Sequence, residues 1–191
     1  MNMLEVAAVV LGLCNIALLI RRSIWNYPFG IAMVLCFFFV FRDARLYSDM
    51  LLQLFFAGVQ MFGWWSWARS GGLDGPVEVG RLTRSERVIW PVGTVITIGF
   101  WGWAVASLTN GAAPWWDAAV AMTSVAAQLL LIGRRIENWI GWIIVNILSI
   151  GLYFTRDLYL TAGLYVVFLA LSVVGYREWL RVAREQDAAR C

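Results

Sequence analysis

Seven apolar runs, each close to the length of a membrane-spanning helix, alternate with short polar connections along the chain. They lie near 3–20, 24–41, 47–67, 88–108, 115–133, 139–155 and 158–178. Because about 20 apolar residues span the hydrocarbon core of a bilayer, this pattern predicts seven transmembrane helices. The one long polar stretch, about 68–87, contains glycines, a proline and mixed charges, which is typical of a loop or a short surface helix.

The chain also repeats part of its own sequence, 112 residues further on and without a gap. The identical pairs are Leu19/Leu131, Ile20/Ile132, Arg22/Arg134, Ile24/Ile136, Asn26/Asn138, Ile31/Ile143, Leu46/Leu158, Tyr47/Tyr159, Gly63/Gly175 and Trp67/Trp179. These pairs keep the register of the apolar runs, so runs one to three match runs five to seven. Internal repeats in apolar chains are typical of transporters, whose substrate sites lie between the repeats.

The fourth run decides how the two copies are oriented. A single span between two three-helix units reverses the chain, so both units run in the same direction. The sequence therefore predicts an all-α integral membrane protein with a 3+1+3 parallel repeat, the arrangement of the SWEET sugar transporters. The predicted parts are a first repeat at 1–67, a cytoplasmic loop and linking helix at 68–111, and a second repeat with a tail at 112–191.

Composition supports a membrane protein and argues against an enzyme. Hydrophobic residues make up 61% of the chain and charged residues 14%, and the mean hydropathy is +0.72. Histidine is absent, which removes the usual general base and the commonest transition-metal ligand. Because the carboxylates are also scattered, a membrane-embedded acyltransferase or phosphatase is disfavoured. We predict no catalytic residue, no metal and no cofactor; Cys14, Cys36 and Cys191 are typical of small core residues and a free tail thiol.

All 15 basic residues are arginines, placed singly or in pairs at the ends of the runs. Nucleic-acid surfaces need such residues clustered on one soluble face, so no nucleic-acid partner is predicted. With seven spans, twelve arginines fall on one side, and Arg42, Arg45 and Arg156 fall on the other. The positive-inside rule then places the C-terminus in the cytoplasm and the N-terminus outside. The start, MNMLE, lacks the positive region of a cleavable signal, so the first run is interpreted as a mature span.

Polar and aromatic side chains fall on one face of the third run and one face of the sixth. The third-run candidates are Gln53, Gln60 and Trp64, together with Asp49 and Trp67; the sixth-run candidates are Asn138, Trp139, Trp142 and Asn146, followed by Ser149 and Tyr153. Polar groups inside a bilayer usually face the bundle interior or an aqueous path. Indole rings stack on heteroaromatic rings or hold cations, and amides bind hydroxyls. The pattern predicts a site for a flat, polar, water-soluble ligand.

Packing roles compete with this interpretation. Tryptophans form belts at membrane interfaces and amides tie helices together. A belt is favoured for Trp25, Trp90, Trp101, Trp103, Trp115 and Trp116, a helix-start role for Asp49, and solvated loops for Arg42, Asp43, Arg45, Arg156 and Asp157. Besides a ligand-binding protein and a membrane-embedded enzyme, a third alternative is a subunit with only a packing role, whose polar faces are buried against a partner.

At these residues the chain resembles the PnuC family of bacterial vitamin transporters over nearly its whole length. The matching segments are IWNYPFGI at 24–31, RLYSDMLLQLFF at 45–56, FGWWSW at 62–67, ENWIGW at 137–142 and LYLTAGLYVVFLALSVVGYREW at 158–179. The resemblance implies a seven-helix 3+1+3 fold and a homotrimer in the bacterial inner membrane. It also implies facilitated diffusion of nicotinamide riboside, a precursor for NAD biosynthesis, which a cytoplasmic kinase traps by phosphorylation.

The resemblance assigns substrate binding first to Trp139, Trp142 and Asn146, then to Gln53, Gln60 and Trp64. Relatives of the family carry thiamine or riboflavin on the same scaffold, and stacking and amide contacts do not separate these ligands. The two copies differ at these positions, since Gly30 and Val34 stand where the second copy has Trp142 and Asn146. The second copy is therefore expected to supply the sixth-run part of the site, and the first its third-run part.

Overall fold

Seven α-helices make up almost all of the computed structural model, which describes residues 3–43, 47–73, 75–108, 113–155 and 159–189. They are α1 (Met3–Ile20), α2 (Asn26–Asp43), α3 (Tyr47–Trp67), α4 (Glu86–Leu108), α5 (Pro114–Ile132), α6 (Asn138–Phe154) and α7 (Tyr159–Ala189). Each helix coincides with one apolar run to within a few residues at its start. Arg42 and Asp43, predicted as loop charges, instead end α2. The other predicted loop charges, Arg45, Arg156 and Asp157, and the terminal Arg190 and Cys191 lie outside the described residues.

The apolar helices indicate a multi-pass membrane protein. Among the described residues, α4, α5 and most of α7 are long and apolar enough to cross a bilayer, and shorter apolar stretches occupy α1, α2 and α6. Large apolar side chains cover the outer surface; Val95 and Phe100 on α4 are 67% and 66% exposed. In water this exposure would be costly, whereas hydrocarbon is a favourable surrounding for such side chains.

The first compact unit, Met1–Glu78, packs α1 on α2 and α2 on α3. Its closest packing lies between Tyr27 and α3. The Tyr27 ring meets the Trp67 ring edge-on, with the centroids 5.2 Å apart. A Cβ at Gly63 would lie 2.6 Å from Tyr27 Cε1, so glycine is needed for this approach of α2 and α3.

The second compact unit, Val79–Cys191, packs α4 on α5, α5 on α6 and α6 on α7. It repeats the same packing 112 residues further on. The Trp139 ring meets the Trp179 ring edge-on at 5.7 Å between centroids, and a Cβ at Gly175 would lie 2.5 Å from Trp139 Cζ2. The sequence repeat is thus also a repeat of packing within each copy.

The loops after α1 and α5 repeat an unusual backbone conformation. Arg22 and Arg134 have φ of 58° and 55°, a left-handed conformation that usually falls to glycine. The Arg22 N–H donates to Leu19 O and the Ser23 N–H to Leu18 O, and the second copy makes the equivalent bonds. These are the two hydrogen bonds of a Schellman helix end, so each arginine occupies the position that normally carries glycine.

The polar linker has defined structure in the described residues. A short turn of π-helical hydrogen bonding (Ala68–Gly72) continues α3, and its backbone leaves the helical conformation at Ser70 and at Gly71, whose φ is 81°. Beyond it, the Val77 N–H donates to Arg22 O at 3.3 Å and Arg22 Nη1 donates to Val77 O at 3.1 Å. Thr83 and Glu86 form reciprocal side-chain to backbone hydrogen bonds, a capping box. This cap starts α4 two residues earlier than its apolar run predicts.

The last helix extends eleven residues beyond the end of its apolar run. Beyond 178, charged residues on α7 pair along the helix: Arg181 contacts Glu178 at 2.6 Å and Glu185 at 3.1 Å. Val182 and Ala183 are buried between these charges. Pairs three and four residues apart stabilise a helix that no longer crosses an apolar medium, which a prediction from apolar run length omits.

Candidate functional site

The polar face of α6 brings together Trp142, Asn146 and Ser149, which are spaced four and three residues apart. Trp142 is half-buried, whereas Asn146 and Ser149 are 5% and 1% exposed. Asn146 Nδ2 donates to Ser172 Oγ on α7 at 3.1 Å, and Ser172 Oγ donates to Phe168 O at 2.8 Å. This chain of hydrogen bonds fixes the Asn146 amide beside the Trp142 indole.

Ser149, which the sequence placed on the polar face without assigning it a binding role, adds a hydroxyl. Its Oγ is buried and has no hydrogen-bond partner among the described residues. A buried hydroxyl without a partner is costly, so the atom is available to a ligand hydroxyl or to water. The sequence placed Ser149 on the polar face of the sixth run; its seven-residue distance from Trp142 was the signal that could have identified it.

Trp139 and Asn138 have packing roles that are repeated in the first copy. Trp139 is 1% exposed and fills the space over Gly175, as Tyr27 does over Gly63. Asn138 Nδ2 donates to Arg135 O at 2.6 Å, as Asn26 Nδ2 does to Ser23 O at 2.7 Å. Trp139 Nε1 and Asn138 Oδ1 are nevertheless buried without partners among the described residues, so ligand contact by these two atoms stays a prediction.

In the first unit, Gln60 belongs to a buried polar cluster with Asn15 and the backbone of α2. Asn15 Nδ2 donates to Asn26 O at 2.6 Å. A Cβ at Gly30 would lie 2.6 Å from Gln60 Nε2 and 2.8 Å from Asn15 Nδ2. The amides of α1 and α3 therefore occupy the space that the absence of a side chain at Gly30 leaves open.

At the equivalent positions of the second copy, the large and small side chains are exchanged between the helices. Ala127 and Ser172 stand at the positions of Asn15 and Gln60, and Trp142 stands at the position of Gly30. In the first unit, the outer helices α1 and α3 carry the amide side chains and the middle helix α2 carries a glycine. In the second unit, the outer helices α5 and α7 carry small side chains and the middle helix α6 carries an indole. This exchange gives each unit different chemistry on a similar helical framework.

The other two predicted residues of α3 have different surroundings. Gln53 is half-buried. Trp64 is 39% exposed and lines a cavity of about 340 Å³ within the first unit, next to Trp25 and Pro28 and opposite the linker residue Pro76. Trp64 thus lies at the loop end of its unit, whereas Gln60, one turn earlier, lies in the buried cluster.

The α6 face is uncharged. No acidic or basic residue occurs between Asn138 and Phe154, and the described residues contain no group of acidic residues or cysteines that could hold a metal ion. The face offers an aromatic plane, an amide and a hydroxyl. Such a set binds a ligand by stacking and hydrogen bonds.

Comparison with known proteins connects this arrangement to one transporter family. The family model described as nicotinamide mononucleotide transporter matches residues 2–181. The chain is 26% identical to the nicotinamide riboside transporter PnuC of Escherichia coli (strain K12), over 98% of this chain and 89% of that protein. It is 29% identical to the PnuC of Neisseria mucosa, over 94% and 73%.

Two further matches define the range of the family. The riboflavin/roseoflavin transporter RibM of Streptomyces davaonensis is 29% identical, over 92% of this chain and 84% of that protein. The crystal structure of the vitamin B3 transporter PnuC superposes with a TM-score of 0.78 at 27% identity, over 96% of this chain and 83% of that chain. The chain therefore belongs to the nicotinamide mononucleotide transporter family, the transporters of the PnuC type, and is not an enzyme.

Proposed function

We propose that the protein takes up nicotinamide riboside across the bacterial inner membrane by facilitated diffusion, with cytoplasmic phosphorylation trapping the substrate. The observation that carries this proposal is the uncharged α6 face of Trp142, Asn146 and Ser149. The pyridinium ring of nicotinamide riboside is flat and cationic, which suits an indole face. Its ribose hydroxyls and carboxamide suit the Asn146 amide and the Ser149 hydroxyl.

The same face favours a riboside over a phosphorylated nucleotide. A phosphate group in a membrane interior needs cationic partners, because an unpaired buried charge is costly. Neither α5 nor α6 contains an arginine. A nucleoside therefore fits this face with fewer unpaired charges than a mononucleotide does.

A passive mechanism is consistent with the chemistry of this face. Amides, a hydroxyl and indoles do not change charge at physiological pH, so they offer no site for a coupled proton. Release then depends on the substrate gradient, and phosphorylation in the cytoplasm maintains that gradient. The remaining predicted contacts, Trp139, Asn138, Gln53, Gln60 and Trp64, are proposed as further substrate-binding residues.

Riboflavin is the second candidate, because RibM is 29% identical to the chain, as is the PnuC of Neisseria mucosa. Its ring system is larger and uncharged, so it would stack on an indole without the cation–π attraction. Thiamine, which is cationic, is the third. A competition experiment by calorimetry on the purified protein separates these ligands together with nicotinamide mononucleotide.

We expect nicotinamide riboside to bind most tightly, and Trp142→Ala to reduce this affinity. Tighter riboflavin binding would assign the protein to the second candidate. Binding of none of the four compounds by a folded sample would contradict the vitamin-transporter proposal and support a packing role for the polar faces. Tighter binding of the mononucleotide would contradict the inference that helices without arginine favour an unphosphorylated ligand.

We also propose the 3+1+3 parallel repeat, an outside N-terminus, a cytoplasmic C-terminus and a homotrimer. The matched packing in each copy and the bias of the arginines support the first three. The homotrimer follows from the family resemblance. Native mass spectrometry should give the mass of three 21.6 kDa chains. Labelling of Cys191, in a variant whose Cys14 and Cys36 are replaced by serine, should require access from the cytoplasmic side. A monomer or a reversed labelling pattern would contradict these proposals.

A further inference from the structure

An open groove of about 690 Å³ lies within the second unit, between α4 and the helices α5, α6 and α7. Its walls are mainly apolar, with Val95 and Ile98 on α4, Ala126 on α5 and Leu148 on α6. It is separate from Asn146 and Ser149, which do not line it. The groove is therefore a second feature of this unit, with a different chemistry from the α6 polar face.

The length of the groove matches one leaflet of a bilayer. Along α4 its lining runs from Arg87 to Ile98, and along α6 from Ile140 to Leu148. At about 1.5 Å of rise per residue, the α4 segment extends roughly 17 Å and the α6 segment roughly 12 Å. Half of a hydrocarbon core about 30 Å thick is roughly 15 Å. An acyl chain that enters at the charged end would thus reach the bilayer midplane along these walls.

The groove is basic at one end only. Arg81 and Arg87 line that end, together with Glu137, and no charged residue lines the remainder. Arg81 contacts Asp187 at 3.6 Å and Arg87 contacts Glu137 at 3.8 Å. Both distances exceed hydrogen-bonding range, so the donors of the two guanidinium groups are not saturated by these carboxylates. A phosphate could bind both.

We propose that this groove binds one anionic phospholipid, with the headgroup phosphate at Arg81 and Arg87 and an acyl chain between α4 and α6. Basic pockets between transmembrane helices bind anionic headgroups through the charge of the arginines, and the apolar walls bind the chain. A neighbouring copy of the protein would cover the apolar walls but would supply no phosphate to the guanidinium donors that Asp187 and Glu137 leave unused. The combination of apolar walls and a basic end therefore favours the lipid.

The test is native mass spectrometry of the protein released from nanodiscs that contain equal amounts of phosphatidylglycerol and phosphatidylcholine. We expect phosphatidylglycerol to be retained preferentially. Arg81→Ala and Arg87→Ala should each weaken this preference about fivefold, since one juxtamembrane arginine contributes about 1 kcal/mol. Arg184→Ala, which removes an exposed arginine outside the groove, should leave retention unchanged.

A second variant tests the groove without changing its charge. Ala126→Leu should reduce retention of both lipids by filling the groove, whereas Ala170→Leu, at an exposed position on α7, should not. Equal retention of the two lipids, or unchanged retention in both arginine variants, would overturn the proposal. Disulfide cross-linking between copies through Thr94→Cys would also overturn it, because another chain would then occupy the groove.

Discussion

At the scale of single residues, the two copies agree where they fold and differ where they would bind. Tyr27 and Trp139 fill the space over Gly63 and Gly175, and Arg22 and Arg134 end their helices in the same left-handed conformation. In contrast, Trp142 and Ser149 stand where the first copy has Gly30 and Phe37. Agreement between the copies therefore identifies packing, and divergence identifies the candidate contacts.

Replacing Trp142 by alanine should weaken nicotinamide riboside binding by about 1–3 kcal/mol, the range for an aromatic stack on a cationic or heteroaromatic ring. Calorimetry on the purified variant measures this loss. Trp103→Ala, at an exposed position on α4, is the matched control and should retain full affinity. Unchanged affinity in the Trp142 variant would remove this indole from the site.

Gly175→Ala should destabilise the protein by about 1–3 kcal/mol, because the added Cβ would overlap Trp139. Gly163→Ala on the same helix meets nothing within 4 Å, so it should be neutral or stabilise the helix by up to about 1 kcal/mol. Thermal unfolding in detergent compares the two variants. Equal melting temperatures would contradict the role assigned to the Gly175 and Trp139 contact.

At the scale of the elements, the linker before α4 is bound to the loop that starts α6. The Gly80 N–H donates to Arg134 O and the Ile136 N–H to Gly80 O, each at 3.0 Å. The Leu82 N–H donates to Glu137 Oε1 at 3.0 Å. These bonds attach the linker next to the first turn of the helix that carries Trp142 and Asn146, so they help to position that helix.

Glu137→Ala should release this segment, because the buried Leu82 would lose the acceptor for its N–H, at a cost of about 1–3 kcal/mol. Hydrogen exchange at residues 80–82 should become faster. Glu137→Gln retains an oxygen at the same place and should restore most of the protection; it removes only a partly exposed ion pair with Arg87, which contributes little. Unchanged exchange in the alanine variant would show that Glu137 does not hold the linker.

The sequence predicted the helices better than their connections, for physical reasons. Apolar run length fixes a membrane helix, so the bounds of α1 and α3 agree with their runs. The extension of α7 depends on ion pairs of Arg181 rather than on hydropathy. The left-handed Arg22 and Arg134 could not be predicted, since these positions usually carry glycine. The N–H groups that donate to their carbonyl oxygens belong to Val77 and Gly80, which are distant in sequence.

The candidate site was predicted only in part, for a related reason. Helical spacing places Trp142, Asn146 and Ser149 on one face, but spacing does not tell which buried polar atoms find partners within the protein. Asn146 is held by Ser172, whereas the Ser149 hydroxyl has no partner among the described residues. That difference depends on what α7 presents to α6, which the repeat alone does not specify.

At the scale of the whole molecule, the two units repeat the packing of three helices but differ in the polar side chains that these helices hold. The first unit holds amides from α1 and α3 over Gly30, and the second holds an indole and a fixed amide on α6. The proposed binding face of α6 is uncharged, so it has no residue that could couple substrate movement to protons. We therefore expect transport that needs no energy source.

Uptake of labelled nicotinamide riboside into proteoliposomes measures whether transport is passive. We predict saturable uptake that stops when the internal and external concentrations are equal, with no response to an imposed proton or sodium gradient. Uptake should continue beyond that point only when a kinase and ATP are enclosed in the vesicles. Accumulation driven by an ion gradient, or flux no greater than in empty vesicles, would contradict the account.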